Sequence, residues 1–298
     1  MAEVGRRAEA LPISEQAVAM RRELVELNRD AYLPSLAGSL HNHATLLAEV
    51  GRRAEALPIS EQAVAMRREL VELNRDAHLP DLAGSLHNHA TLLAEVGRRA
   101  EALPISEQAV AMRRELVELN RDAHLPDLAT SLHNHATLLA EVGRRAEALP
   151  ISEQAIALYW ELVELNRDAY LPDLAGSLYN HVTMAAQVGR RAEALLASGQ
   201  AVAMRRELVE LNRDTYLPDY VQSLVVHGWT LIQAQQHGTA VTPLVEALAI
   251  GQQLPEFARE ILGGAVAVLR EAHQASPAEV DAVFENLTGQ TFTKWISE

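Results

Sequence analysis

Residues 80–120 read PDLAGSLHNHATLLAEVGRRAEALPISEQAVAMRRELVELN, and this stretch decides the fold. From Pro80 to Val96 an apolar stripe runs through Leu82, Leu86, His89, Leu93 and Val96, in steps of four and three. That spacing puts all five on one side of an α-helix. Gly97 stands where a helix ends, since glycine tolerates the left-handed turn just past a C-terminus. From Arg98 to Asn120 a second stripe follows: Ala102, Ile105, Ala109, Met112, Leu116 and Leu119. Pro104 is expected in the first turn of that helix, where backbone N–H groups have no intrahelical partner. NRDAHLP, residues 120–126, is expected as the turn into the next unit.

The stretch repeats. Gly5, Gly51, Gly97, Gly143 and Gly189 each open the phrase GRRAEAL, or a close copy, 46 residues apart, and the units at 51 and 97 differ only at Gly84 against Thr130. A hairpin of two amphipathic helices cannot bury its apolar faces alone; stacking on copies of itself can. The expected fold is all-α: a right-handed α–α superhelical solenoid of tandem helix hairpins with a concave and a convex side. Five pairs are expected, preceded by a lone second-type helix near 6–29, with residues 1–4 as the end of a first-type helix. That lone helix is expected to leave apolar surface uncovered. The array spans 1–235, in units starting near 5, 51, 97, 143 and 189. Residues 236–298 form a degenerate repeat and a C-terminal helical cap, with Ser276 capping a last helix that Pro277 opens.

Composition agrees. Apolar residues make up 48% and aromatics only 4%, so the core is built from Ala, Leu, Val and Ile. A net charge of −14 repels nucleic acid and sets that partner class aside. The unit Gly51–Val96 carries five Arg against seven Asp and Glu, a mixed solvated surface. With no Cys, disulfides, thiolate metal sites and cysteine nucleophiles are excluded. The sequence opens MAEVGRRAEALP without the apolar core of a signal peptide, and no stretch approaches 18 uninterrupted apolar residues. A cytoplasmic protein with no membrane partner is expected.

The repeat resembles the tetratricopeptide repeat, in the longer form seen in kinesin light chains. Leu86, Ala90, Leu93, Gly97, Ala102 and Ala109 carry the likeness, with the phrase SL-x-N-x-A, Pro104 seven residues after Gly97, and the segment Asp122–Asp127. It covers about residues 1–235 and recurs five times. Similar arrays occur in actinobacterial regulatory proteins, often joined to nucleotide-binding domains; no G-x-x-x-x-G-K-[ST] phosphate loop occurs here. The resemblance implies a protein-interaction scaffold whose concave groove takes a peptide or partner segment.

The first-type helix places Gly84, His87, Asn88, Thr91 and Glu95 on one face, opposite the leucine stripe. By the resemblance this face lines the groove, and an asparagine at Asn88 grips the backbone of an extended peptide. The candidate ladder is His41, Asn42 and Thr45; His87, Asn88 and Thr91; His133, Asn134 and Thr137; and Tyr179, Asn180 and Thr183. Exposed imidazoles there predict binding that changes with pH. Val225 and Val226 follow at the His-Asn positions, which predicts a groove that turns apolar and a ligand anchored there by apolar side chains.

A second row, His43, His89, His135, His181 and His227, falls on the apolar stripe. His-x-His points to two sides of a helix and cannot share one ion. The row is expected to be buried, neutral and hydrogen-bonded to a neighbouring helix. Tyr159 and Trp160 interrupt an Arg pair found at 67–68, 113–114 and 205–206, and are candidate interface anchors or, equally, packing that changes local curvature. No constellation supports catalysis, because near-identical repeats supply no asymmetric site. No cofactor is expected. The alternative to a scaffold is self-assembly into dimers or filaments through the N-terminal helix.

Overall fold

The computed structural model describes residues 2–254 and 256–297. The helices are α1 (Ala2–Leu27), α2 (Arg29–Glu49), α3 (Arg53–Leu73), α4 (Arg75–Glu95), α5 (Arg99–Leu119), α6 (Arg121–Glu141), α7 (Arg145–Leu165), α8 (Arg167–Gln187), α9 (Arg191–Leu211) and α10 (Arg213–Gln233). They continue as α11 (His237–Gly251), α12 (Glu260–Ala275), α13 (Pro277–Thr288) and α14 (Phe292–Trp295). No strand occurs among the described residues. The fold is an all-α solenoid of tandem hairpins, with pairs α2/α3 to α10/α11 where five were expected.

Two turns alternate. After each first-type helix the chain passes through a left-handed glycine: φ is +82° at Gly51, +83° at Gly97, +85° at Gly143 and +84° at Gly189. At Gly97 the Arg98 N–H donates to Leu93 O (2.8 Å) and the Gly97 N–H to Ala94 O (3.0 Å). This Schellman arrangement satisfies carbonyls that the helix end would orphan. Gln235 holds the same place with φ +61°, and its neighbour Gln236 donates to Leu231 O at 2.9 Å. The hairpin geometry therefore persists into α11 although the repeated phrase ends near Gln235.

The other turn is tighter than NRDAHLP implied. Asn120 alone separates α5 from α6. Its backbone is extended (φ −151°, ψ 93°), its N–H closes α5 on Leu116 O, and its side chain accepts the Ala123 N–H at 3.3 Å. One asparagine thus ends one helix and caps the next. Pro104 and Pro126 are consequently the sixth residues of α5 and α6, beyond the first turn. Each forfeits one interior backbone bond instead of occupying a position with none to lose. At the N-terminal end α1 runs unbroken through Gly5, so residues 2–4 continue that helix instead of ending a first-type one.

The chain divides into two compact units, residues 1–155 and 156–298, with the boundary inside α7. In unit 1 small clusters repeat down the stack. Val64, Leu82, Leu86 and Ala109 are buried together, and each fully buried leucine contributes about 2 kcal/mol. In unit 2 the C-terminal helices share the last hairpin's core: Val221 and Leu224 of α10 and Leu244 of α11 pack with Leu269, Phe284 and Phe292. Residues after 235 are therefore not a separate body. Ser276 makes no side-chain cap bond; its hydroxyl donates to Glu279 instead (3.1 Å).

Candidate functional site

The His, Asn and Thr ladder lies on the first-type helices, and the structure rearranges its chemistry. His41 of α2 does not work beside its neighbour Asn42. Its two ring nitrogens are bracketed by two residues of the next first-type helix, Ser85 Oγ at 3.2 Å from Nδ1 and Asn88 Nδ2 at 3.4 Å from Nε2. His87 repeats this one unit on, with Ser131 Oγ at 3.1 Å and Asn134 Nδ2 at 3.3 Å. Behind each serine stands a buried arginine. Arg67 of α3 and Arg113 of α5 donate to Ser85 and Ser131, both at 2.7 Å, and to the backbone carbonyls of Asp81 and Asp127. The motif read as one HN pair is therefore two half-pairs. Each His joins the Asn of the following repeat.

Burial changes the expected role of the imidazoles. His41 and His87 are half-buried, and burial, followed by the charge of Arg67 or Arg113, lowers their pKa to about 4. Burial also lowers His133. The expectation of exposed, titrating groove histidines is corrected: desolvation disfavours the charged ring near neutral pH. The Thr hydroxyls are tied back to their own helices, Thr45 to His41 O (3.1 Å), Thr91 to His87 O (3.1 Å) and Thr137 to His133 O (3.0 Å).

In unit 1 this face opens into a cleft of about 330 Å³ between α4, α5 and α6. His87, Thr91, Asn134 and Thr137 line it, with Ser131 at its back and Glu95, Arg99 and Glu141 among its walls. Arg99 pairs with Glu141 at 2.7 Å, and Glu95 with Arg53 at 2.7 Å, so these charges are balanced. The cleft thus gathers four ladder residues from two repeats. In α2 the corresponding bracket holds no imidazole: Ser39 Oγ is buried without a partner and Asn42 is exposed.

Unit 2 departs from this pattern. Tyr179 is half-buried and its pKa is raised by burial; Asn180 is half-buried and Thr183 exposed. One repeat on, Ser223 Oγ and Arg205 Nε are buried without partners, while Arg205 pairs with Asp219. Val226 stands where Asn would be. The apolar end of the ladder is not open to a ligand as expected. Val225 packs into the C-terminal core, where α12 brings Gly264 so close that a Cβ there would meet Val225 at 3.7 Å. Val225 on this face is thus packed against the chain's own helix.

The second row bonds neighbouring helices as its pattern implied, buried at His43, His89, His135 and His181 and half-buried at His227. Ser14 meets His43 at 2.7 Å, Ser60 meets His89 at 3.2 Å, Ser106 meets His135 at 2.7 Å and Ser198 meets His227 at 2.8 Å, each through Nδ1. Burial lowers the pKa of all four. His181 lies 2.8 Å from Glu193. Tyr159 is corrected as an interface anchor: it is 3% exposed, in the place of the buried arginines, whereas Trp160 is 37% exposed. Among the described residues no three His, Asp or Glu side chains converge as a metal site, and no helix is long and apolar enough to cross a membrane.

Two family models described as tetratricopeptide repeat match the chain, over residues 36–78 and 81–161. Among solved structures, BtubC (BKLC) from P. vanneervenii aligns with a TM-score of 0.59 at 16% identity, covering 91% of each chain. A putative kinesin light chain with nearly identical TPR-like repeats from Podosopora anserina aligns with a TM-score of 0.59 at 24% identity, over 74% of this chain and 96% of that one. YrrB, a TPR protein with an unusual peptide-binding site, aligns with a TM-score of 0.50 at 17% identity, over 82% and 97%. No curated protein sequence matches. Residues 36–78 and 81–161 thus match the tetratricopeptide repeat, and the fold of the chain is that of the long-repeat, kinesin-light-chain type.

Proposed function

We propose that this chain is a protein-interaction scaffold that takes an extended segment of another polypeptide along the first-type helices of unit 1. The cleft lined by His87, Thr91, Asn134 and Thr137 carries this reading, because it exposes polar groups from successive repeats side by side. Its size and mixed lining suit a few residues of a peptide. Unit 2 adds support: at α10 the corresponding face is a packing face, filled by α12. The fold is compatible with peptide capture, as the description of YrrB illustrates for that protein. Replacing Asn88 and Asn134 together with Ala tests the reading. Binding partners retained by the wild-type chain in a native-host pull-down are expected to be lost, with the helical circular dichroism unchanged. Full retention would refute it.

Self-association is the second reading. On α1, Ile13 is 70% and Met20 65% exposed. Their counterparts Ile59 and Met66 pack against a core cluster. Light scattering across a concentration series is expected to show growth in mass if α1 pairs with another copy; a constant monomer mass excludes it.

A further inference from the structure

The hydrogen-bond chain behind the cleft has a direction. Arg113 can only donate, and it donates to Ser131 Oγ at 2.7 Å. The Ser131 hydroxyl proton then needs an acceptor. Ser106 gives its own proton to Leu103 O (2.8 Å), one turn back. Ser131 makes no such bond to its counterpart Leu128 O, and both lone pairs of Asp127 O, four residues back, are taken by Arg113 and by the Ser131 N–H within α6. What remains is His87 Nδ1 at 3.1 Å. With Nδ1 accepting, the neutral ring carries its proton on Nε2, and that proton needs an acceptor too. The Asn134 carboxamide is 3.3 Å away, and an amide accepts only through its oxygen. The two ends of the amide have the same shape, so a half-turn about the last torsion brings Oδ1 to the ring and sends Nδ2 to the cleft. The opposite orientation strands the buried Ser131 hydroxyl proton, at a cost of about 1–3 kcal/mol.

We propose that Arg113, Ser131 and His87 form a relay that turns the Asn134 amide NH2 into the cleft, so that unit 1 reads backbone carbonyl oxygens of its polypeptide partner. Arg67, Ser85, His41 and Asn88 repeat the relay one unit earlier, at 2.7, 3.2 and 3.4 Å. The inference rests on the scaffold reading and sharpens it. The other cleft groups fit: the Thr91 hydroxyl donates to its own helix and offers only an acceptor, and Arg99 is held by Glu141. Ser131 and Arg113 are positioning residues that act through His87.

The test needs no partner. In ¹⁵N-labelled wild-type protein at pH 7, the ring nitrogens of His87 are expected to report the single Nε2–H tautomer. The Nδ1–H tautomer or a fast mixture overturns the relay. Asn134→Asp leaves an acceptor for Nε2–H but no donor. It is expected to keep that tautomer and to raise the His87 titration midpoint by about one unit or more, as an adjacent carboxylate does. An unmoved midpoint counts against contact between the two. Ser131→Ala is expected to lose the fixed tautomer, and Ser106→Ala to leave it intact. If Ser131→Ala does not fold, the wild-type tautomer and Asn134→Asp still decide. A wrong tautomer with partner binding still lost in the Asn88/Asn134 variant would sink the relay alone. A right tautomer with binding retained would sink the scaffold reading.

Discussion

Units 1 and 2 share one backbone plan but solve its buried polar problem differently. In unit 1 the arginine and serine behind the ladder are completed by an imidazole from the preceding repeat and an asparagine beside it. In unit 2 the arginine and serine persist as Arg205 and Ser223, but the partners have become Tyr179 and Val226, and Ser223 Oγ is left without one. The helices do not need the relay, since they pack without it. The relay instead sets which polar atoms line the cleft. The repeat can therefore drift at this point without losing its fold.

Acid is expected to separate the units most strongly. Burial lowers six histidines in unit 1, His41, His43, His87, His89, His133 and His135, against His227 in unit 2. A depressed folded-state pKa means the unfolded chain binds protons first. The stability these groups give is full above the unfolded value near 6.5 and is lost as pH falls below it, toward about 4 for His41 and His87. Each fully titrating group contributes at most about 1.4 kcal/mol per pH unit, so unit 1, which holds more of these groups, is expected to lose stability first as the pH falls toward about 5. All three Trp, 160, 229 and 295, lie in unit 2. Helical circular dichroism is thus expected to fall before tryptophan emission shifts; coincident transitions would contradict the assignment. Between about pH 5.5 and 7.5 His41 and His87 stay neutral, so partner binding at the cleft is expected to be flat.

Matched serine deletions come next. Ser131→Ala leaves Arg113 and His87 short of a buried partner and is expected to lower stability by about 1–3 kcal/mol in urea unfolding. Ser223→Ala removes an oxygen that is already unpartnered and is expected to be neutral or slightly stabilising. Equal losses at both sites would mean the relay adds nothing to unit 1. A smaller contrast lies in the turns. Gln235 occupies a left-handed position that glycine holds in four other repeats. Gln235→Gly is expected to raise stability by about 1 kcal/mol, whereas Gly143→Ala is expected to lower it by a similar amount.

The helices, their pairing and their glycine turns were legible because periodicity and turn chemistry are local. The row through His89 was legible for the same reason: it falls in step with leucines. The helix starts were misread because Pro80 and Pro126 look like boundaries, while one asparagine closes both ends of the turn. The relay was illegible because its partners are far apart in sequence. His87 and Asn134 are 47 residues apart, and a helical wheel sees only neighbours within a few turns. One signal was present. Ala63, Arg67 and Leu70 run in steps of four and three, so Arg67 lies on the inward side of α3 and is buried there. Counted only as half of a repeated Arg pair, it was not read as a group behind the cleft.

The finest test moves the relay between the units. Tyr179→His together with Val226→Asn rebuilds in unit 2 the bracket that His87 and Asn134 occupy in unit 1. Each single change is expected to be poor. Tyr179→His alone removes ring volume, and Val226→Asn alone places an amide where no imidazole stands. Together they supply Ser223 with an acceptor for its proton and the new amide with a donor. The coupling free energy from a double-mutant cycle is expected to be about 0.5–1 kcal/mol in favour of the pair. The smaller tyrosine site limits the gain, because Tyr179 also lies beside Gln222, Arg205 and Asp219, which must repack. A coupling of zero would mean that the bracket needs more of the unit 1 repeat than these four side chains. A favourable coupling with the neutral imidazole tautomer expected at His87 would show that the relay is a portable part of the repeat.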